Sequence, residues 1–230
     1  MALLCIDHCN IQGVANKEDE LSIFFERSTG LKVIYITEHW LSEDNQQYLD
    51  RIHGFSLQSG FFRKKTKRGG SCILVHNSWE NDVLERTDLV SLSVENILEV
   101  SAIEVLTKQM LCVCIYRTPY TVNLDIFFQK IYTLLENIFK TRRAYKLKVL
   151  VAGVFNVNLF ETNSVTSPFI NLFPSFGLKP KVNSPTRVTH STSTCIDYIF
   201  TNFEVAESFT SDVALSDHNC QFVNFKSNTL

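Results

Sequence analysis

Asn10, Glu38, Tyr116, Asn156, Asp197, Asp217 and His218 each follow or end a short apolar run of this chain. A polar group at the end of a buried strand leaves the core and can meet others on one rim, where a rigid sheet holds it in place. The carboxylates and amides offer hard oxygen ligands of the kind Mg²⁺ prefers. The imidazole and phenol are groups that stabilise charge developing on an oxygen. Together they suit a metal-assisted hydrolysis. One position breaks the pattern. In Val151-Ala-Gly-Val-Phe-Asn-Val-Asn158 a buried strand opens at Gly153 into a polar turn, and Val154 stands where its neighbours call for a carboxylate.

Singly, these residues have plainer explanations. Tyr116 before Arg-Thr-Pro suits a strand that ends at a turn, and a lone His218 is more often structural. Asp197 is harder to set aside, because a carboxylate on a buried strand is costly without a partner.

The elements that must position these groups are mostly strands. Short β-type runs cover residues 3–9, 32–37, 55–62, 72–76, 97–106, 110–116, 148–152, 195–201 and 220–225, with a hairpin near 107–109. Two helices interrupt them. Residues 17–29 place Leu21, Phe24, Phe25 and Ser28 on one face, with Gly30 suited to the C-cap. Residues 122–140 keep an i, i+3, i+4, i+7 stripe through Leu124, Phe127, Phe128, Ile131, Leu134, Leu135 and Ile138. Its one wet face predicts packing on the outside of a sheet. Many strands with few helices point to an α/β fold of two packed sheets flanked by helices.

The 230 residues fit one domain spanning 1–230, and 45% hydrophobic content with 18 phenylalanines supports a large aromatic core. A net charge of −2 gives no global field toward nucleic acid, so any such binding needs a local patch. The run Arg63-Lys64-Lys65-Thr66-Lys67-Arg68 is the one candidate, although such runs are ordinarily solvated loops. Seven cysteines without a C-x-x-C pair read as buried, reduced thiols. The first residues hold too short an apolar run for a signal peptide, and no stretch reaches the ~20 apolar residues of a membrane span. A nuclear or cytoplasmic protein, not secreted and without a membrane partner, is expected.

In order along the chain stand His8-Cys-Asn-Ile-Gln-Gly-Val14, Thr37-Glu-His-Trp-Leu41, Arg68-Gly-Gly70, Tyr116-Arg-Thr-Pro119, Gly153-Val-Phe-Asn156, Pro185-Thr-Arg187, Ile196-Asp-Tyr-Ile-Phe-Thr-Asn202 and Ser216-Asp-His218. Each block is weak alone. Their order and spacing from about residue 4 to 225 resemble the apurinic-type endonuclease domain of LINE-type (non-LTR, jockey-like) retrotransposons, in the endonuclease/exonuclease/phosphatase superfamily. The resemblance implies a four-layer, DNase I-like α/β sandwich with the site at the sheet edges.

It also implies roles. Glu38 is the main ligand of Mg²⁺ (or Mn²⁺), with Asn10 beside it and Asp217 as a nearby carboxylate. His218, oriented by Asp197, contacts the scissile phosphate, and Tyr116 and Asn156 donate to phosphate oxygens. Thr186 and Ser216 brace the site. Arg63, Lys64, Lys65, Lys67 and Arg68 border the DNA-facing rim. Val154 occupies the position of the Asp that orients or deprotonates the attacking water. The implied activity is Mg²⁺-dependent nicking of DNA, impaired at Val154. A catalytically dead copy that still binds nucleic acid is the main alternative, and a superfamily phosphatase the lesser one. The expected chain is monomeric, with a reverse transcriptase domain belonging to a parent polyprotein and not to this sequence.

Overall fold

The computed structural model describes residues 3–119, 124–140, 146–161, 163 and 165–226. Fourteen strands make two six-stranded sheets and one small ribbon. In the first sheet β1 (Leu3–Asn10) and β2 (Leu31–Thr37) run parallel, joined by helix α1 (Glu18–Arg27). β3 (Phe55–Phe61), β4 (Ser71–His76), β13 (Glu207–Ser211) and β14 (Cys220–Lys226) extend this pair in the order β13-β14-β1-β2-β4-β3.

The second sheet repeats the plan. β7 (Met110–Tyr116) and β8 (Lys148–Val154) are parallel neighbours, with α3 (Leu124–Phe139) between them in sequence. β5 (Val83–Glu85), β6 (Glu99–Val105), β9 (Lys179–Pro180) and β12 (Asp197–Thr201) complete the order β5-β6-β7-β8-β12-β9. The ribbon is β10 (Arg187–Val188) with β11 (Ser193–Thr194). The remaining described elements are α2 (Thr87–Val90), α4 (Thr166–Ser175) and two 3-10 helices, Glu43–Arg51 and Glu80–Asp82.

The apolar stripe expected over 122–140 forms α3; its first two positions lie outside the described residues. Phe127, Ile131, Leu134, Leu135 and Ile138 are buried against the outer face of the second sheet. α1 covers the outer face of the first sheet with Leu21 and Phe25. Between the sheets lies a third apolar cluster. The result is helix, sheet, sheet, helix: the DNase I-like four-layer α/β sandwich. The expected hairpin is the β6–β7 turn, where Val105 pairs with Met110.

Two expectations need correction. The strand expected over 195–201 begins only at Asp197, because Cys195 turns back to accept from the Tyr198 hydroxyl. Cys9 and Cys220 form a disulfide with Cα atoms 4.5 Å apart, so the reading of all seven cysteines as reduced thiols fails for this pair. β1 and β14 are antiparallel neighbours, and their register sets the two cysteines opposite one another across 211 residues of sequence. Spacing along the chain cannot reveal that. The other cysteines are free and buried. Among the described residues no helix is long and apolar enough to cross a membrane.

The inner faces of both sheets change character from one end to the other. On β1 the inward residues run Leu4, Ile6, His8, Asn10; on β2 Val33, Tyr35, Thr37; on β6 Val105, Ile103, Ser101, Glu99. Each strand is apolar at one end of the sandwich and polar at the other, and the polar ends coincide. Side chains alternate along a strand and partners opposite one another share a face. Each polar end therefore points into the same gap.

Candidate active site

That gap opens as a cleft of about 860 Å³ whose lining includes Gln12, Glu38, Trp40, Tyr116, Asn156 and His218. Its floor in the second sheet is one row. Glu99 pairs with Tyr116, Tyr116 with Val154, and Val154 with Asp197, across four adjacent strands. The Val154 side chain thus stands between the phenol and the carboxylate and is fully buried. Its strand is apolar on the inner face throughout, from Leu150 and Ala152 to Val154.

Asp197 and His218 form a buried ion pair of the site. Nδ1 of His218 donates to the two Asp197 oxygens at 2.9 and 3.0 Å, with both side chains buried. The Thr186 hydroxyl donates to Asp197 at 2.6 Å and accepts from the Ile196 and Asp197 backbone amides. Burial by itself lowers the affinity of His218 for a proton, but Asp197, then Asp217 and Glu38, outweigh it, and its pKa is raised. The imidazole is therefore biased toward the charged form, which suits contact with an anion.

Glu38 follows β2 with φ +54°, a left-handed conformation that is unfavourable for a glutamate by ~1–2 kcal/mol. Backbone bonds hold it there: Glu38 N–H donates to Gly70 O at 2.9 Å, and Gly13 N–H donates to Glu38 O at 2.7 Å. Its Oε1 accepts from Asn10 Nδ2 at 3.0 Å and its Oε2 from Trp40 Nε1 at 3.2 Å. Asn10 Nδ2 also lies 3.4 Å from His218 Nε2. The Ser216 hydroxyl donates to Asn10 O at 2.5 Å and accepts from the His218 amide at 3.1 Å, tying the two segments together.

Asp217 is held from two sides, by Arg187 at 2.8 Å and by Gln12 Nε2 at 2.8 Å. Partial burial raises its pKa, but Arg187 and His218 overcome this and hold it below the usual carboxylate range. Tyr116 is buried, which raises its hydroxyl pKa, and the nearby Glu38 charge raises it further. Asn156 has φ +52° and donates from Nδ2 to Arg117 O at 2.6 Å. Gly153 is obligatory here, since a Cβ would sit 1.8 Å from Ile115 O. Asn158 lies apart from this cluster. Its Oδ1 accepts from the Cys195 and Phe160 amides, and it braces a loop.

The basic run divides in two. Arg63 turns inward: Nε donates to the buried Glu99 at 2.7 Å, and its guanidinium lies over the Tyr116 ring at 5.6 Å. Glu99 also accepts from the Gly70 and Asn96 amides. Burial raises the Glu99 pKa, against the opposing pull of Arg63 and these donors. Lys64, Lys65, Lys67 and Arg68 are exposed, with Lys64 reaching Glu43 at 3.2 Å. Glu95 shapes the loop by accepting from the amides of Lys64, Lys65 and Thr66.

Two residues with clear structural work were absent from the sequence-based set. Glu99 ties the basic loop to the floor of the cleft. Arg117 is a buried cation, ligated at Nη1 by the carbonyls of Phe155 and Asn156 and set against Phe127, and it fixes the turn that bears Asn156. A carboxylate opening an apolar strand and an arginine inside an apolar run were the available signals.

Oxygen donors suited to a divalent cation are present at Glu38 and Asn10. The Asn10 amide now directs nitrogen at Glu38, so a metal there requires it to turn its oxygen inward. Mg²⁺ commonly keeps most of its waters and takes one or two carboxylates, which this donor set fits. Among the described residues the one close grouping of three such side chains is Asp7 with Cys9 and Cys220, and the disulfide between the two cysteines removes their thiolates as ligands.

The architecture is that of the endonuclease/exonuclease/phosphatase proteins, and the cleft lies where the two sheets of that fold meet. A 3′ phosphatase from Neisseria bound to a product DNA hairpin superposes with TM-score 0.72 at 13% identity, over 97% of this chain and 99% of that one. An AP endonuclease from Leishmania major gives 0.72 at 10%, over 98% and 88%. Zebrafish (D. rerio) TDP2, complexed with a single-strand DNA product, gives 0.66 at 13%, over 99% and 100%. At such identities the likeness concerns the fold. No protein-family model matches the chain, and no curated protein matches it in sequence.

Proposed function

We propose that this chain is a Mg²⁺-dependent DNA endonuclease domain of the retrotransposon type whose hydrolytic step is impaired at Val154. The observation that carries the proposal is that Glu38, Tyr116, Asn156 and His218 line one cleft, with Asn10, Asp197 and Asp217 bonded to lining residues and Val154 between Tyr116 and Asp197 in the row beneath. A Mg²⁺ ion held by Glu38 and Asn10 would neutralise charge on the scissile phosphate. His218, aligned by Asp197, donates to a phosphate oxygen, and Tyr116 and Asn156 add further donors. At Val154 no atom can align a water or accept its proton. Loss of a general base typically removes a factor of ~10²–10⁴ in rate, so the remaining groups support slow turnover at most. We place such a domain in the nucleus or cytoplasm, acting as a monomer on DNA.

A second reading, a chain that holds nucleic acid without cutting it, is favoured by the charge of the cleft. Among the described lining residues Glu38 is the one carboxylate; Arg63, Arg187 and His218 are paired with Glu99, Asp217 and Asp197, which leaves Lys67 and Arg68 to face an anion. Nicking of supercoiled plasmid with Mg²⁺ separates the readings when Val154→Asp is run beside the unaltered protein. The variant is expected to nick ~10²-fold faster or more. Equal, rapid nicking by both proteins means another group serves as base; negligible nicking by both supports the binding-only reading.

A further inference from the structure

Trp40 is held in an unfavourable conformation beside the Glu38 carboxylate. Its φ of +60° is rare for a bulky residue. The turn that carries it is clamped from both sides: Trp40 N–H donates to Gly69 O at 3.0 Å, and Val14 N–H donates to His39 O at 3.1 Å. The ring lies flush on Gly13, where a Cβ would approach to 2.8 Å of the indole, and Arg68 stacks over the ring at 5.1 Å. His39, between Glu38 and Trp40, is wholly buried and accepts from the Leu41 amide, so the turn cannot relax through it. Yet Trp40 remains 38% exposed, which is poor use of an indole for core packing alone. The indole N–H donates to Glu38 Oε2 at 3.2 Å.

We propose that Trp40 is a positioning residue for the divalent-cation carboxylate, fixing the Glu38 rotamer through its indole N–H and linking it to the basic loop through Arg68. This rests on the reading of Glu38 as the cation ligand. A carboxylate has about four lone-pair directions. Trp40 takes one on Oε2, Asn10 takes one on Oε1 until its amide turns toward a cation, and the Tyr116 hydroxyl also bonds this carboxylate, so a direction is left for a cation or its water. With the indole donor removed, Oε2 loses its Trp40 bond and the Glu38 rotamer rests on Asn10 and Tyr116. Partners of this kind typically contribute ~10–100-fold to metal affinity. Trp40 also belongs to both the cleft and the adjoining basic pocket, so an anion that draws Arg68 away is felt at Glu38.

The test uses metal binding and not turnover. Mn²⁺ uptake by the unaltered Val154 protein is followed by electron paramagnetic resonance of free Mn²⁺ and compared with Trp40→Phe, which keeps an aromatic ring but lacks the N–H. Trp40→Phe is expected to bind Mn²⁺ ~10-fold more weakly, while Trp79→Phe, at a distant site, binds it unchanged. The chain has two tryptophans, so in Trp79→Phe the emission reports Trp40 alone. Mg²⁺ is expected to shift that emission with the half-point of a single binding curve, a readout that leaves Trp40 itself untouched. Unchanged or tighter Mn²⁺ binding in Trp40→Phe, or emission indifferent to Mg²⁺, overturns the proposal. If the unaltered protein takes up no Mn²⁺, the assignment of Glu38 as cation ligand falls with it.

Discussion

At the rim where the two sheets face each other, their inward rows can be compared strand by strand. In the first sheet β1, β2 and β4 finish in Asn10, Thr37 and Ser71, all polar and all buried. In the second, β6, β7 and β12 present Glu99, Tyr116 and Asp197, but β8 between the last two presents Val154. The neighbours of Val154 on both sides keep their partners: Asp197 its histidine and threonine, Tyr116 its place beside Glu38 and Arg63. A buried polar row is costly unless satisfied, and a scaffold under no functional constraint has little reason to retain it. The difference between the two rims is confined to one side chain, and on the proposed function that side chain is what separates an intact site from one able to activate water.

Substitutions on either rim put this contrast at risk. The largest effect is expected for His218→Ala made in a Val154→Asp background. It should remove whatever nicking the first substitution restores, by ~10²–10⁴-fold, in a plasmid assay with Mg²⁺. Persistence of that activity means that the row in the second sheet works without its partner from the first.

Glu99→Gln tests the rim from the other side. It leaves the Arg63 guanidinium buried without its carboxylate, and breaking such pairs costs ~3–5 kcal/mol. Urea unfolding should show a loss of that order. A loss under ~1 kcal/mol means Arg63 has swung out to solvent, as an ordinary surface residue does.

A smaller effect is expected for the exposed part of the basic run. Replacing Lys64, Lys65 and Lys67 by Gln should weaken DNA binding alike for all sequences. It should also flatten the salt dependence by up to ~0.9 for each phosphate no longer neutralised. An unchanged slope returns the run to a solvated loop.

The smallest concerns Asp7, buried on the outer face of β1 with one carboxyl oxygen lacking a partner. Burial raises its pKa well above the ordinary value of 3.8. The unfolded chain therefore releases this proton at a lower pH than the folded one, so the stability it supports is present below about 3.8 and declines as pH rises toward the folded pKa. Asp7→Asn should raise the melting temperature by a few degrees at pH 8 and by nothing near pH 3.5. The same gain at both values contradicts the assignment.

Much of this site was legible in the sequence because strand ends are local: an apolar run followed by one polar residue marks Asn10, Glu38, Tyr116 and Asp197 without knowledge of pairing. The row itself was not legible, since it depends on register across β6, β7, β8 and β12. The same holds for Cys9 with Cys220. Arg63 read as one of five like cations, and only the buried Glu99, 36 residues away, sets it apart. β5, β9, β10 and β11 are two or three residues long and carry no periodicity. α4 carries Pro174 in its last turn, which breaks the helical pattern in the sequence, although Asn163 Oδ1 accepts from the Val165 and Thr166 amides at its start.

The central claim is that Val154 alone divides the two rims. Single-turnover nicking under saturating protein, with DNA affinity measured in parallel, tests it most directly. For Val154→Asp against the unaltered chain, the account predicts a rate higher by ~10²-fold or more at nearly the same affinity. Equal single-turnover rates at equal affinity would contradict it.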